Sequence, residues 1–288
     1  IDPLPEKQRE FLAVMGLADE FTVEMAQFIT GDAQAKQMLS RLTEQNAFVK
    51  RLPDGITYRF HHMMKECAEH CFLTMQAETK KLYWERFGLW YENSRQYLHA
   101  IAAFRKSENY DALLRIIRND AGILLASLKP SDVLEILDKC PEETLKSNPF
   151  AILVLMRRMF TWHQIPKMLE LKQLLTDTIA EDNTLSEDER KNLSGECDLI
   201  MSFLMYNDIT GMSVLHRQAS SKMTRPAISI RNTGSWTFGS PSVLMMFHRR
   251  FGTLDAELAA MNECMPHYYR ITQGHGQGAE LLMNAEAA

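Results

Sequence analysis

The chain has 288 residues, 45% of them hydrophobic and 24% charged, a balance that excludes a disordered polymer and suits about two folded domains. Its net charge of −5 argues against the basic surface that binding to nucleic acid phosphates requires. The sequence has five cysteines, no apolar run of membrane-spanning length and no signal-like N-terminus, which predicts a cytoplasmic protein with free thiols.

The apolar patterns over residues 1–76 follow the order helix, helix, helix, hairpin, helix. Two β-prone runs, 47–52 and 56–60, are joined by the turn-forming sequence Pro53-Asp54-Gly55. Residues that commonly begin or end helices flank the three helical patterns before them: Pro5, Gly16, Thr22, Gly31 and Asp32. This order predicts a winged-helix domain over residues 1–76.

From residue 77 onward, apolar residues recur three and four positions apart, as they do on one face of an α-helix. The predicted helices cover 80–94, 97–106, 110–118, 131–139, 149–162, 165–179, 186–206 and 209–222. Short helices that alternate with short turns are typical of stacked helical pairs. The sequence therefore predicts a mainly α protein, in which a winged-helix module is followed by a tetratricopeptide-like α-helical repeat array over 77–288.

One stretch of the chain matches the tetratricopeptide pattern Trp-x2-Leu-Gly-x2-Tyr followed by Ala-x3-Phe. The matching residues are Trp84, Phe87 in the Leu position, Gly88, Tyr91, Ala100 and Phe104. Gly88 and Ala100 are small where the two helices of a pair approach, and the aromatic side chains fill the space beside them. Because the full pattern does not recur downstream, the later pairs are predicted to be degenerate or of variable length.

Three further motifs favour structural roles. Cys67, His70 and Cys71 share one helix face, but no second ligand pair completes a metal site, so we expect no metal there and a Cys67 that packs as a small hydrophobe. The glycine-rich residues 274–278 follow a predicted helix and not a strand, which predicts a tight turn and not a phosphate loop. The sequence contains no Ser/His/Asp or Cys/His catalytic motif, so we expect no enzyme.

A winged helix often contacts DNA through its third helix, which is predicted to begin at Asp32. The charges of that helix cancel, since Asp32 and Glu44 are acidic and Lys36 and Arg41 are basic. A helix that reads DNA carries a surplus of basic residues or amides placed for base edges. We therefore expect no direct nucleic acid binding by this chain and a structural role for the module.

The long connection over residues 225–243 departs from the helical pattern and contains two prolines, two glycines and two aromatic residues. Aromatic rings and guanidinium groups together can hold a small anionic or aromatic effector. The candidate ligand-binding residues are Trp236 and Phe238 in this loop, with His248, Arg249 and Arg250 on the helix predicted after it. The alternative is that the loop is a bulky connector.

Several motifs in the same order along the chain resemble one known family. The most recognisable is the string Tyr58-Arg59-Phe60-His61-His62 directly after the hairpin. The other matching stretches are 4–15, 38–49, 97–103, 137–145, 148–149, 239–252 and 274–280. Together they resemble the large ATP-binding transcriptional regulators of the LuxR type, signal-transducing ATPases that include the maltose regulator.

The resemblance implies an ATPase domain, a winged helix, a tetratricopeptide-like sensor and a C-terminal DNA-binding helix-turn-helix, in that order. The chain has neither the GxxxxGK[ST] phosphate loop nor a second helix-turn-helix, and it begins at Ile1 without methionine and stops in a helix-like run at Ala288. We therefore expect a fragment of such a protein, its regulatory middle, with no cofactor of its own and ATP only in the missing ATPase domain.

A regulatory middle portion is expected to bind a small-molecule effector or a protein partner and to couple that binding to the other domains of the same polypeptide. No membrane partner is expected, and self-association is compatible with the resemblance. A different class stays open, a helical-repeat scaffold that binds proteins and senses no small molecule. Ligand-dependent stabilisation would favour the sensor, and a protein partner without any metabolite response would favour the scaffold.

Overall fold

A computed structural model describes residues 4–44, 49–233, 242–248 and 250–288, and these ranges contain sixteen α-helices and three short β-strands. The chain divides into two compact units, Ile1–Leu113 and Leu114–Ala288. The mainly α fold class is thereby confirmed. The domain boundary placed between residues 76 and 77 lies inside the first unit and stays a prediction.

The helices of the first unit begin and end close to the residues that the sequence indicates. Its first four helices are α1 (Glu6–Met15), α2 (Val23–Thr30), α3 (Ala35–Glu44) and α4 (His62–Leu73). At the start of α2 the Thr22 hydroxyl accepts a hydrogen bond from the Met25 backbone N–H at 3.2 Å. Gly31 ends the same helix with a φ of 71°, in the left-handed region that favours glycine.

A small antiparallel sheet forms the wing. The predicted hairpin is present as β2 (Val49–Arg51) and β3 (Thr57–Phe60). The Asp54 carboxylate closes its turn by accepting the backbone N–H of Ile56 and of Thr57, both at 3.0 Å. A third strand, β1 (Phe21–Thr22), pairs with the other edge of β3 and gives the strand order β1-β3-β2. It was not predicted, because two residues are too few to show an alternating pattern.

The first helical pair consists of α5 (Ala77–Asn93) and α6 (Tyr97–Ser107), which pack directly on each other. The close approach predicted at Gly88 is confirmed, since a Cβ placed on this glycine would lie 2.4 Å from Cε1 of the fully buried Phe104. Helix α5 also bonds to the winged helix. The Tyr83 hydroxyl donates to the Glu10 carboxylate at 2.7 Å, and Arg86 Nη1 donates to the Ile29 carbonyl at 2.9 Å.

All the regular elements among the described residues of the second unit are helices. Its helices are α7 (Tyr110–Asn119), which begins before the division, α8 (Pro130–Lys139), α9 (Glu142–Lys146), α10 (Pro149–Thr161), α11 (Ile165–Glu181), α12 (Glu187–Ser202), α13 (Ile209–Lys222), α14 (Val243–Phe247), α15 (Leu254–Thr272) and α16 (Ala279–Ala287). Helix α10 packs against α11, α12 against α13, and α13 against α15. These pairs give the succession of packed helices that the apolar periodicity predicts.

Two details of the sequence interpretation are wrong. Helix α12 ends at Ser202 and a single 3₁₀ turn, Phe203–Met205, follows it, whereas one helix was predicted as far as residue 206. Cys67 is exposed and does not pack as a small hydrophobe. The buried face of α4 contains Ala68 and Phe72, one helical turn apart, so that Cys67 lies one position away from it.

Residues 274–278 form turns between α15 and α16, as the sequence predicts. Among the residues that the structure describes, no three histidine, cysteine or acidic side chains are grouped so that they could hold a metal ion. No helix within the described ranges has both the length and the apolar character needed to cross a bilayer.

Candidate functional site

The predicted ligand-binding residues are only partly covered by the structure. Trp236, Phe238 and Arg249 lie outside the described residues. His248 and Arg250 are described, and the prediction that they lie on a helix is wrong, because α14 already ends at Phe247. His248 is extended there, and its Nδ1 lies 2.6 Å from Oε2 of Glu257 on α15. Whether these residues bind a ligand stays a prediction.

The segment that leads into this loop is fixed to α12. We call residues 224–229 the strap. The Asn192 side-chain oxygen accepts the backbone N–H of Thr224 at 2.8 Å. One turn further along α12, Glu196 Oε1 accepts the backbone N–H groups of Ile228 and Ser229 at 2.8 and 2.7 Å. Because positions four apart share one face of a helix, the two side chains hold the two ends of the strap.

A small cavity opens beside the strap, in the interior of the second unit. It has a volume of about 40 Å³. Its apolar walls are formed by Phe160, Phe203, Met212, Met246 and Phe247. Its polar wall contains Arg157, Thr161, His216, Tyr268 and His275. We call this cavity the inner pocket; α14, which follows the predicted loop, supplies part of its wall.

Two of the polar groups of the inner pocket are tied to neighbouring side chains. His216 is buried, with Nε2 2.9 Å from the Ser202 hydroxyl and Nδ1 2.7 Å from the Cys264 sulfur. Burial lowers the pKa of His216 to about 3, so its ring is neutral. The Tyr268 hydroxyl lies 2.6 Å from Nδ1 of His275, and burial raises the pKa of this tyrosine. His216 and Tyr268 therefore contribute no charge to the pocket wall at neutral pH.

Arg157 is the exception. Its Nη1 donates to the Ser229 carbonyl of the strap at 3.0 Å, and within the described residues no carboxylate forms an ion pair with it. Burial lowers the pKa of the Arg157 guanidinium, an effect that Tyr268 partly opposes. The pocket therefore presents a positive charge among aromatic and methionine side chains.

Sequence reasoning missed Arg157, although a signal was present. Arg157 and Arg158 interrupt an otherwise apolar helix, α10, whose residues 151–156 are all buried. A charged residue on such a helix is rarely accommodated without a specific partner.

A second concave region lies in the first unit, an open groove of about 810 Å³. Lys106 Nζ lies 3.9 Å from the centre of the Trp84 ring on its wall. Two ion pairs line the groove as well, Arg59 with Glu20 and Lys65 with Asp19. Because most of these charges are already paired within the unit, the groove does not select one class of ligand.

Residues 1–80 match the family model of the MalT winged helix domain. The chain matched no curated protein and no solved structure. The family match confirms the predicted winged helix and supports a relation between this chain and large regulators of the MalT and LuxR type.

Proposed function

We propose that this chain is the regulatory portion of a transcriptional regulator of the MalT and LuxR type, built from a winged helix and a tetratricopeptide-like sensor. The observation that carries the proposal is the match of residues 1–80 to the MalT winged helix domain. The helical pairs that follow it support the sensor role, because arrays of this kind present concave surfaces for ligands and partners.

In this proposal an effector or a protein partner binds the helical array and shifts its conformational equilibrium, and the shift passes to ATPase and DNA-binding domains of the same polypeptide. ATP belongs to that ATPase domain. The inner pocket is the preferred effector site, because α10, α13, α14, α15 and the strap all meet in the same region of the second unit. A ligand seated there would contact several elements at once.

The winged helix acts in this scheme as a coupling element and makes no DNA contact. The charged residues of α3 are Lys36, Arg41 and Glu44, all exposed, so this helix has a net charge of only +1 and no cluster of basic residues. Its bonds to α5 through Glu10 and Ile29 connect it to the first helical pair.

The decisive test is the complete coding sequence together with a reporter assay. We expect a phosphate-loop motif upstream of residue 1 and a helix-turn-helix downstream of residue 288. We also expect that deletion of the region encoding 77–288 makes the activity of a target promoter independent of the effector. A complete gene without either flanking domain would contradict the regulator. If the chain captures a protein partner and shows no response to metabolites, the scaffold function is favoured over the sensor function.

A further inference from the structure

We propose that the inner pocket binds a small monocarboxylate, with its carboxylate group on the guanidinium of Arg157. The inference deepens the proposed function, since it names the class of effector for the site preferred above and rests on that function for its biological meaning. The binding itself is argued from the pocket alone.

The first argument is the missing counter-charge. Arg157 is half-buried on the wall of an apolar pocket, and a guanidinium in such surroundings is favoured by an anionic partner. Arg157 makes a hydrogen bond to the Ser229 carbonyl, and among the described residues no further acceptor takes its remaining N–H groups. Donors are thus present at the pocket wall without acceptors.

The neighbouring acidic residues are committed elsewhere. Glu196 accepts two backbone N–H groups of the strap and pairs with Arg225, and Glu257 lies against His248. No carboxylate of the described residues pairs with Arg157, and the stretch 234–241, which the structure does not describe, has none in its sequence to supply.

The second argument is the net charge. His216 is neutral, with both ring nitrogens engaged, and Tyr268 is bonded to His275. The neighbouring Arg158 is directed elsewhere, since it donates to the Gly122 carbonyl and lies over the Trp162 ring. One guanidinium balances one negative charge, so a monoanion fits better than sulfate or hydrogen phosphate.

The third argument is shape. A cavity needs at least about 10–15 Å³ to hold one water molecule, so the inner pocket, at about 40 Å³, has room for a small group of a few non-hydrogen atoms. A carboxylate group contains three such atoms and matches the planar fork of arginine in a bidentate pair. The surrounding Phe160, Met212 and Phe247 suit a short aliphatic tail.

The experiment measures binding of acetate and propionate to the whole chain, by thermal unfolding and by saturation-transfer NMR on the carboxylate methyl protons. We expect a saturable rise in melting temperature of about 2 °C or more at millimolar carboxylate. Sodium chloride and sodium sulfate at matched ionic strength serve as references, because general salt effects act on every variant alike.

The matched variants are Arg157→Met and Arg158→Met, which remove the same charge from adjacent positions of α10. Arg158→Met should bind acetate as the unmodified protein does, whereas Arg157→Met should lose about tenfold or more in affinity. Arg157→Lys keeps the charge without the fork and should bind with intermediate affinity.

Equal carboxylate binding by Arg157→Met and the unmodified protein would overturn the proposal. If chloride or sulfate raised the melting temperature as much as acetate does, and only when Arg157 is present, the assignment of the ligand as a carboxylate would be wrong. Should Arg157→Met fail to fold, the absence of saturation transfer from acetate or propionate in the unmodified protein would be equally decisive. None of these results bears on the flanking-domain test, so failure of the carboxylate site and failure of the regulator function are distinguishable.

Discussion

Arg225 Nη1 lies 3.1 Å from Oε2 of Glu196, whose side chain is completely buried in the second unit. The other carboxylate oxygen of Glu196 accepts two backbone N–H groups of the strap, and Arg225 also pairs with Glu189 at 2.7 Å. Together these donors stabilise the negative charge of the buried Glu196 carboxylate. The strap is therefore attached to α12 by a charged centre, and not only by contacts between apolar side chains.

Replacing Glu196 by alanine should strongly destabilise the second unit, because Arg225 and two strap amides would lose their acceptor. We expect a loss of about 3–5 kcal/mol in the free energy of unfolding, measured by denaturant titration. Glu189→Ala is the matched control, since Glu189 is partly exposed and its removal should cost about 1 kcal/mol or less. Similar losses for the two variants would contradict the central role of Glu196.

Replacing Gly88 by alanine should destabilise the first unit. Alanine in a helix interior is normally more stable than glycine by about 1 kcal/mol, but here the added methyl group would collide with the Phe104 ring. We expect a net loss of about 1–3 kcal/mol in thermal or chemical unfolding. The double variant Gly88→Ala, Phe104→Leu should recover part of it, and a stabilised single variant would show that the two helices are further apart than described.

The buried His216 predicts a pH dependence of stability. Its pKa falls from 6.5 to about 3 on folding, so the unfolded chain binds this proton more readily than the folded one. The stability that depends on neutral His216 is complete above pH 6.5 and is lost as the pH falls from 6.5 toward 3. The expected slope is about half of 1.4 kcal/mol per pH unit near pH 6.5 and approaches about 1.4 kcal/mol per pH unit below roughly pH 5.5, where the unfolded histidine is almost fully protonated.

Amide hydrogen exchange of α13 between about pH 7 and pH 5 can measure this slope. His216→Asn should be less stable at neutral pH but should lose stability less steeply on acidification. His70→Asn, which changes an exposed histidine of α4, should leave the slope of α13 unchanged. Identical slopes for His216→Asn and the unmodified chain would rule out the assignment.

The cysteines should react in the order of their exposure. Cys67 is exposed, whereas Cys140, Cys197 and Cys264 are buried, and burial raises the pKa of Cys197 to about 11 and of Cys264 to about 12. A disulfide reagent near neutral pH should therefore modify Cys67 first. Cys67→Ser should remove the fastest phase and leave the slower reaction of the half-buried Cys71, and an unchanged fastest phase after this substitution would contradict the described exposure.

The chain should not shift duplex DNA in a gel at moderate salt. The third helix of the winged helix carries only Lys36 and Arg41 against Glu44, and the whole chain is acidic, with a net charge of −5. Salt-dependent binding in the micromolar range would overturn the coupling role proposed for the winged helix. Adding basic residues at Gln37 and Ser40, both exposed on α3, tests whether charge is what limits binding.

Elements with a long, regular pattern could be predicted from the sequence, and those set by tertiary contacts could not. Helices α6, α7 and α13 fall within a residue of their predicted ends, because apolar spacing and terminating residues agree there. Strand β1 and helix α9 were missed, since two and five residues are too short for periodicity. Their formation depends on partners distant in sequence.

The site shows the same division. An aromatic and basic loop is visible in a sequence. The inner pocket, in contrast, combines residues from four α-helices, the 3₁₀ turn after α12 and the turn after α15, and Arg157 and His275 are 118 positions apart. Nothing local marks His216 or Tyr268 as members of one polar cluster. For Arg157 the apolar surroundings on α10 were the available clue.

The hydrogen bonds from α5 to Glu10 and Ile29 connect the winged helix to the first helical pair. The family match stops at residue 80, before Tyr83 and Arg86. A piece cut at that point would strip the winged helix of its supporting helix, so the smallest autonomous piece should extend through α6. For the same reason a displacement of α5 is expected to be transmitted directly to the winged helix through Tyr83 and Arg86.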